Sequence, residues 1–75
     1  MTRVLRYFKK TDESYAGEIT VDIFSIEELR VYFGIEGENP MFDSFPVLSD
    51  IDSEFKNKLD IDLDFEKYDY FLEYN

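Results

Sequence analysis

The positions of apolar and polar residues predict two β-strands in the first third of the chain, the first from its composition and the second from alternation. Residues 2–10 contain paired aliphatic and aromatic residues of high β-propensity, and residues 11–14 then supply polar turn chemistry. Residues 15–23 then alternate, and every second position from Ile19 onward is apolar. The pattern therefore predicts a hairpin whose loop has about four residues.

A third and a fourth strand are predicted in the second half of the chain. Residues 41–48 are apolar enough for a strand, although Pro46 has no amide N–H to donate and favours an edge, a bulge or the strand's end. Residues 68–74 alternate strictly, with Tyr70 on one side of the strand and Phe71 on the other. This period of two predicts a last strand with one face toward the core.

Two short helices are predicted between these strands. Ser25 and Glu28 have the spacing of a capping box, in which each side chain binds a free amide at the start of a helix. That helix covers residues 26–33 and ends at Gly34, which accepts the left-handed conformation of a helix end. A second cap at residues 49–52 begins another helix. The order β-β-α-β-α-β defines an α+β fold with an antiparallel sheet of about four strands and one or two short helices.

Length and composition indicate one domain, residues 1–75, with a thin core. The chain has no cysteine for disulfides and no cysteine or histidine for structural zinc, so packing alone must stabilise it. It shows no signal peptide and no apolar stretch of membrane-spanning length, which predicts a cytoplasmic protein without membrane contact. Repulsion between copies at a net charge of -10 favours a monomer.

The charge is strongly acidic and unevenly distributed. Residues 1–10 contain four basic residues and no acid, so removing +4 from the net charge of -10 leaves -14 on the other 65 residues. Such a field repels nucleic acid and anionic membranes, and it accelerates association with basic proteins. Acidity can also serve solubility alone, but the small size and the few basic residues favour a functional charge.

Neither a catalytic nor a metal-binding site is predicted. Histidine and cysteine, which most often act as general base and thiolate nucleophile, are absent from the sequence. A chain this small can hardly enclose a substrate cleft around a carboxylate pair. Residues 60–64 look like the start of a calcium loop, but Phe65 and Phe71 stand where the turn glycine and the bidentate glutamate are needed. The sequence therefore predicts a binding protein without cofactor or metal, and not an enzyme.

Aromatic and acidic residues are interleaved along residues 42–45, 64–66 and 68–74. Rigid rings surrounded by charges are typical of protein interfaces, where the rings hold the partner and the charges speed and select its approach. Because a sheet with one covered face turns about half of its rings inward, most single rings are core residues. Several must nevertheless remain on the surface.

Residues 7–18 contain an aromatic pair, a lysine, a short polar turn, another aromatic residue and then Gly-Glu. In this the chain resembles the first hairpin of the immunity proteins of cloacin and the ribosomal-RNA-cleaving colicins. The resemblance continues in order over nearly the whole chain, through the short helix, the apolar segment before Ile61-Asp62 and the Tyr70-Phe71 pair. It implies an antiparallel sheet with a short helix, in a bacterial cytosolic protein that blocks a cognate basic toxin nuclease.

The resemblance also implies which residues bind the toxin. Its aromatic hot spots fall on Phe8, Tyr15 and Phe71, and its specificity residue, just before the Phe42-Asp43 pair, falls on Met41. The resemblance brings these residues together on one sheet surface. The partner-binding residues expected there are Phe8, Glu13, Tyr15, Glu18, Met41, Asp43 and Phe71.

Two departures from the family pattern bear on the identity of the partner. Lys9 stands where that pattern has an aspartate, and Met41 stands where it has a cysteine. These changes at implied contact positions favour a related partner, an RNase effector of a colicin-like or contact-dependent inhibition system, over the colicin nuclease itself. Two other hypotheses remain: a nucleic-acid mimic that inhibits a restriction or guide-RNA nuclease, and a housekeeping interaction domain.

Overall fold

The architecture follows the predicted order of strands and helices. The computed structural model of the protein describes residues 3–37, 41 and 43–74. The α+β class with a four-stranded antiparallel sheet and two helices is confirmed. In chain order the elements are β1 (Arg3–Lys9), β2 (Tyr15–Thr20), α1 (Ile26–Tyr32), β3 (Phe45–Val47), α2 (Ser53–Leu59) and β4 (Tyr68–Tyr74).

The sheet has the strand order β2-β1-β4-β3, and each neighbouring pair is antiparallel. The first and last strands of the chain therefore lie at its centre, paired from Arg3 with Tyr74 to Lys9 with Tyr68. Strands β2 and β3 form the two edges. Between β1 and β2 the register shifts by one residue, because Tyr7 pairs with Gly17 while Phe8 pairs with Tyr15. Ala16 is thus the extra residue of a β-bulge in β2.

Both helices pack on the same face of the sheet and close the core over it. Leu29 of α1 and Phe55 and Leu59 of α2 belong to one buried cluster with Leu5 of β1 and Leu72 of β4. Burial of the apolar side chains in this cluster is the main contribution to the free energy of unfolding of so small a protein. The buried cluster comprises Leu5, Val21, Phe24, Leu29, Met41, Val47, Phe55, Leu59, Tyr70 and Leu72.

Side-chain caps fix where the helices begin. The predicted capping box is present: Ser25 Oγ accepts from the Glu28 amide at 3.1 Å, and Glu28 Oε1 accepts from the Ser25 amide at 3.1 Å. Asp52 caps α2 by accepting from the Glu54 amide at 2.8 Å. The first helix is one residue shorter than predicted, with Phe33 as its C-cap. Among the described residues, no helix has the length and apolar character to cross a membrane.

Two predicted strands are shorter in the structure. Strand β2 was expected to reach residue 23, but it ends at Thr20, and Ile23 is 54% exposed. The chain turns there, which brings Phe24 into the core in place of Ile23. Strand β3 was expected from residue 41, but it begins at Phe45. Met41 has a positive φ of 57°, which is incompatible with a strand, and residue 42 lies outside the described residues.

Candidate protein-binding surface

The sheet face that points away from the helices carries side chains outside the buried cluster, of which Val4 is buried and the others are half-buried or exposed. Within the described part of the chain, both helices contribute to the cluster on the other face. Because directly opposed residues of an antiparallel pair share a face, the strand register identifies this set. We call it the open face, and it consists of Val4, Arg6, Phe8, Tyr15, Glu18, Thr20, Pro46, Asp69, Phe71 and Glu73.

Three aromatic rings meet at the centre of the open face. The Phe8 ring contacts Tyr15 on one side and Phe71 on the other, with centroid distances of 5.9 Å in both pairs. Both contacts are edge-to-face, which suits the charge distribution of aromatic rings. Phe8 and Phe71 are half-buried, while Tyr15 is 55% exposed. The sequence-predicted rings are therefore brought together as one aromatic patch, defined as Phe8, Tyr15 and Phe71.

The aromatic patch depends on the bulge in β2. A regular ladder continued from the Tyr7–Gly17 pair would place Ala16 opposite Phe8. The extra residue instead brings Tyr15 opposite Phe8 and turns its ring to the open face. Phe71 reaches the patch through β4, where it pairs with Arg6 and lies diagonal to Phe8. Residues from three separate segments thus form one surface.

Charged side chains on the open face are held in pairs beside the patch. Arg6 donates to Glu73 Oε1 at 2.7 Å, and its Nε lies 3.9 Å from Glu18 Oε2. The hydrogen bond to Glu73 raises the pKa of the Arg6 guanidinium. Asp69 Oδ1 lies 3.3 Å from Nζ of Lys10, the residue that follows β1. The acids of the open face are therefore already partly neutralised by neighbouring bases.

Tyr15 links the rings to these charges. Desolvation raises the pKa of the Tyr15 hydroxyl, and the negative charge of Glu18 and a hydrogen bond to it raise that pKa further. The hydroxyl therefore stays protonated and can donate a hydrogen bond at neutral pH. The patch can thus offer a partner apolar ring surface, one hydroxyl and adjacent carboxylates.

Comparison with known proteins gives a family for this chain. A family described as a domain of unknown function, DUF7683, matches residues 2–73. The chain belongs to the DUF7683 family. That description names no activity and no partner. Searches of curated proteins and of solved structures give no match.

One predicted contact residue of this DUF7683 chain lies in the wrong place for a contact. Met41 was expected on the sheet surface, but it is only 1% exposed and belongs to the buried cluster. An unbranched, flexible thioether fills irregular gaps in a core, and this is its role here. The proposed specificity role of Met41 is therefore wrong, because a partner cannot reach its side chain.

The predicted acidic contacts are only partly gathered at the patch. Glu18 lies on the open face, directly opposite Arg6. Glu13 is exposed in the turn between β1 and β2, where it has a positive φ of 59°. Asp43 is exposed in the loop before β3 and is not part of that strand. Of the seven expected residues, the patch and Glu18 form the contiguous set.

Sequence reasoning missed the ion-paired residues of the open face. Arg6 and Glu73 were not selected, although they alternate with core positions in the same way as Phe8 and Phe71. The pairing of the first strand with the last was the missing information. Within the described ranges, no group of three or more acidic side chains is arranged to hold a metal ion.

Proposed function

We propose that this protein is a bacterial immunity protein that binds and neutralises a cognate basic toxin nuclease through its open face. The toxin class is an RNase effector of a colicin-like or contact-dependent inhibition system. The observation that carries the proposal is the aromatic patch. Three rings from separate strands lie on an uncovered sheet face, at the positions implied by the resemblance to cloacin-type immunity proteins, and Phe8 contacts both of the others.

The aromatic patch has the physical properties of an interface hot spot. Its rings are attached to strands β1, β2 and β4, which are paired along their length. A rigid ring with few rotatable bonds loses little conformational entropy when a partner covers it. Phe8 is central, since it touches both other rings, and the paired charges around it can exclude water from the contact. This supports binding by a few strong contacts at the centre of the face.

The charge of the molecule serves a second purpose in this proposal, namely attraction at a distance. Only Glu18, Asp69 and Glu73 of the 18 acidic residues belong to the open face. The remaining acids surround that face or lie on other surfaces and create a field that draws in a basic nuclease. Association should therefore slow as the salt concentration rises, while dissociation depends mainly on the rings.

The same distribution argues against the main alternative, nucleic-acid mimicry. A mimic presents its carboxylates as an array that replaces phosphates in a basic groove. Here the acids on the open face are interleaved with Arg6, and Asp69 lies beside Lys10. The centre of the face is aromatic. A partner with an apolar, base-rimmed recess fits this arrangement better than a phosphate-binding groove does.

Alanine substitution within the patch tests the proposal. The partner to be used is a basic toxin nuclease domain, sought first among the products of the neighbouring genes, and affinity is measured on folded variants. We expect Phe71→Ala or Phe8→Ala to cost at least ~2 kcal/mol, about 30-fold in Kd, because a buried anchor is lost. Glu18→Gln should cost ~1 kcal/mol or less and act mainly on the association rate.

A matched control is available on the other side of the molecule. Val31 on α1 is an exposed apolar residue, 76% accessible, and Val31→Ala should leave the affinity unchanged. Thermal melts of each variant separate lost contacts from lost folding. Wild-type affinity in all the patch variants would refute the proposed surface. A gradual loss with each removed carboxylate, without an effect of the rings, would indicate a mimic instead.

A further inference from the structure

Strand β2 presents free backbone groups at the edge of the sheet. The Val21 amide donates to the Arg3 carbonyl at 2.9 Å, so these two residues form a hydrogen-bonded pair. Bonded and non-bonded pairs alternate along an antiparallel ladder. Glu18 and Thr20, opposite Arg6 and Val4, are therefore the non-bonded positions. Their amide and carbonyl groups point away from β1, toward the outer edge.

The two edges of the sheet differ in their protection against further pairing. Strand β3 has only three residues, and its central residue is Pro46, which cannot donate a hydrogen bond. Strand β2 has six residues without proline or lysine. The bulge at Ala16 interrupts only the start of the pairing between β2 and β1, and residues 17–20 keep a regular register. In the described part of the chain β2 pairs with β1 alone, so this edge can accept another strand.

The charge around this edge selects the kind of strand that can pair. Residues 11–29 contain six acids and neither lysine nor arginine. A second copy paired symmetrically along β2 would bring acidic side chains close to one another, which is destabilising. A segment with lysine or arginine would instead place a base beside Glu18. The edge is also continuous with the aromatic patch, because Tyr15 begins β2.

We propose that the edge of β2 binds an extended basic segment of the partner, which joins the sheet as a further strand. The inference rests on the proposed function, since the toxin nuclease supplies this segment while the aromatic patch holds its folded part. Backbone hydrogen bonds to Glu18 and Thr20 give the segment its register, and the Glu18 carboxylate favours a basic side chain opposite. The partner would then contact two adjoining surfaces.

A synthetic strand tests this without the nuclease. The probe is a blocked eight-residue peptide that alternates lysine with threonine and valine, added to the whole protein at low salt. Amide exchange followed by NMR should slow about tenfold at Glu18 and Thr20 when nine-tenths of the protein is bound, because only free protein exchanges. The Gly17 and Ile19 amides face β1 and should not change. Unchanged exchange at Glu18 and Thr20 with millimolar peptide would overturn the proposal.

Variants at Thr20 supply the matched controls. Thr20→Pro removes the outward amide without removing a bond to β1, and it should abolish peptide binding, whereas Thr20→Val should keep it. Equal binding by both variants would refute strand pairing and indicate charge attraction alone. Concentration-dependent protection of the same amides without peptide would show that a second copy is the occupant and would also refute it.

The peptide test of the β2 edge and the nuclease-binding test of the proposed function can fail independently. If Phe71→Ala keeps wild-type affinity for the nuclease, the function through the open face fails, whereas peptide protection at Glu18 and Thr20 would still establish a basic-strand edge. If Phe71→Ala loses affinity but the peptide leaves both amides unprotected, the edge proposal alone fails.

Discussion

Two neighbouring residues of β4, Tyr70 and Phe71, show how differently the two faces of this sheet use the same kind of side chain. Tyr70 is 5% exposed and packs against the rings of Tyr7, Phe65 and Tyr68 beneath the helices. Phe71 is half-buried and is in ring contact with Phe8 on the open face. A slip of one residue in register would exchange their places. Ring chemistry therefore does not distinguish a core residue from a contact residue, but strand register does.

The covered face combines packing with fixed hydrogen bonds, whereas the open face combines ring contacts with surface ion pairs. Substitutions on the covered face should therefore lower the free energy of unfolding most. Substitutions on the open face should leave the fold largely intact and affect partner binding.

The largest effect is expected at the centre of the covered face. Phe55 is fully buried and stacks on Phe24 at 4.9 Å, with Tyr32 and Phe33 edge-on at 5.8 and 5.7 Å. Phe55→Ala should lower the free energy of unfolding by about 3–5 kcal/mol, because it leaves a large cavity. Urea unfolding measures this. Phe71→Ala should cost much less, and an equal loss in both variants would contradict the division between the faces.

A close contact within the sheet gives the next largest effect. A Cβ atom added at Gly17 would lie 2.7 Å from Tyr7 Oη and 2.9 Å from Tyr7 Cζ. The ring cannot easily retreat, since it packs against Tyr68 at 5.1 Å and Tyr70 at 5.4 Å. Gly17→Ala should therefore cost about 1–3 kcal/mol in urea unfolding. The cost should shrink in a Tyr7→Leu background, and an unchanged cost there would exclude the ring as its cause.

Alternation and capping were enough to predict the element order of this fold, because they are local properties of the chain. Residues 68–74 and the Ser25 capping box are confirmed, and Pro46 lies on an edge strand as its missing amide indicated. The end of β2 was misplaced because alternation continues past Thr20, while the chain itself turns. The local sequence does not distinguish Ile23 from a strand residue. The chain turns because Phe24, and not Ile23, is buried in the core.

The candidate site was predictable only in part, because it depends on long-range pairing. The three rings were found through the resemblance, and the structure brings them together. The prediction that Met41 contacts the partner was wrong, because closeness in sequence to a contact segment does not determine whether a side chain faces the core or the surface. Arg6 and Glu73 lie 67 positions apart in the chain, and only the pairing of β1 with β4 joins them.

A smaller effect is expected from a single buried hydroxyl on the covered face. Tyr70 Oη accepts a hydrogen bond from the Asp64 amide at 2.9 Å and so holds the loop before β4. Tyr70→Phe should cost about 1 kcal/mol, because that part-buried amide loses its acceptor. Tyr15→Phe removes an exposed hydroxyl from the open face and should cost less. Faster amide exchange at Asp64 in Tyr70→Phe alone would assign the loss to this bond.

The smallest effect concerns the outer surface of the helices, where one ion pair joins α1 to α2. Lys58 Nζ donates to both carboxylate oxygens of Glu28 at 2.9 and 2.7 Å, and it lies 5.3 Å from the centre of the Phe24 ring. The hydrogen bond from Lys58, followed by that from the Ser25 amide, lowers the pKa of Glu28 below its ordinary value of 4.5. A carboxyl whose pKa is lower in the folded state stabilises the fold above its unfolded pKa. This contribution is lost as the pH falls from 4.5 through the folded pKa.

Urea unfolding across this acidic range should therefore separate two variants of equal charge. Glu28→Gln can still complete the capping box but loses the titrating group, so its stability should fall less steeply with decreasing pH than that of the wild type. Glu27→Gln makes the same change of charge one residue away and should keep the wild-type slope. Asp12, whose pKa is lowered by hydrogen bonds from Ser14, titrates equally in all three proteins and does not affect the difference. Parallel curves for the two variants would show that the ion pair between the helices contributes nothing to stability, and that packing in the buried cluster is enough to hold α1 and α2 on the sheet.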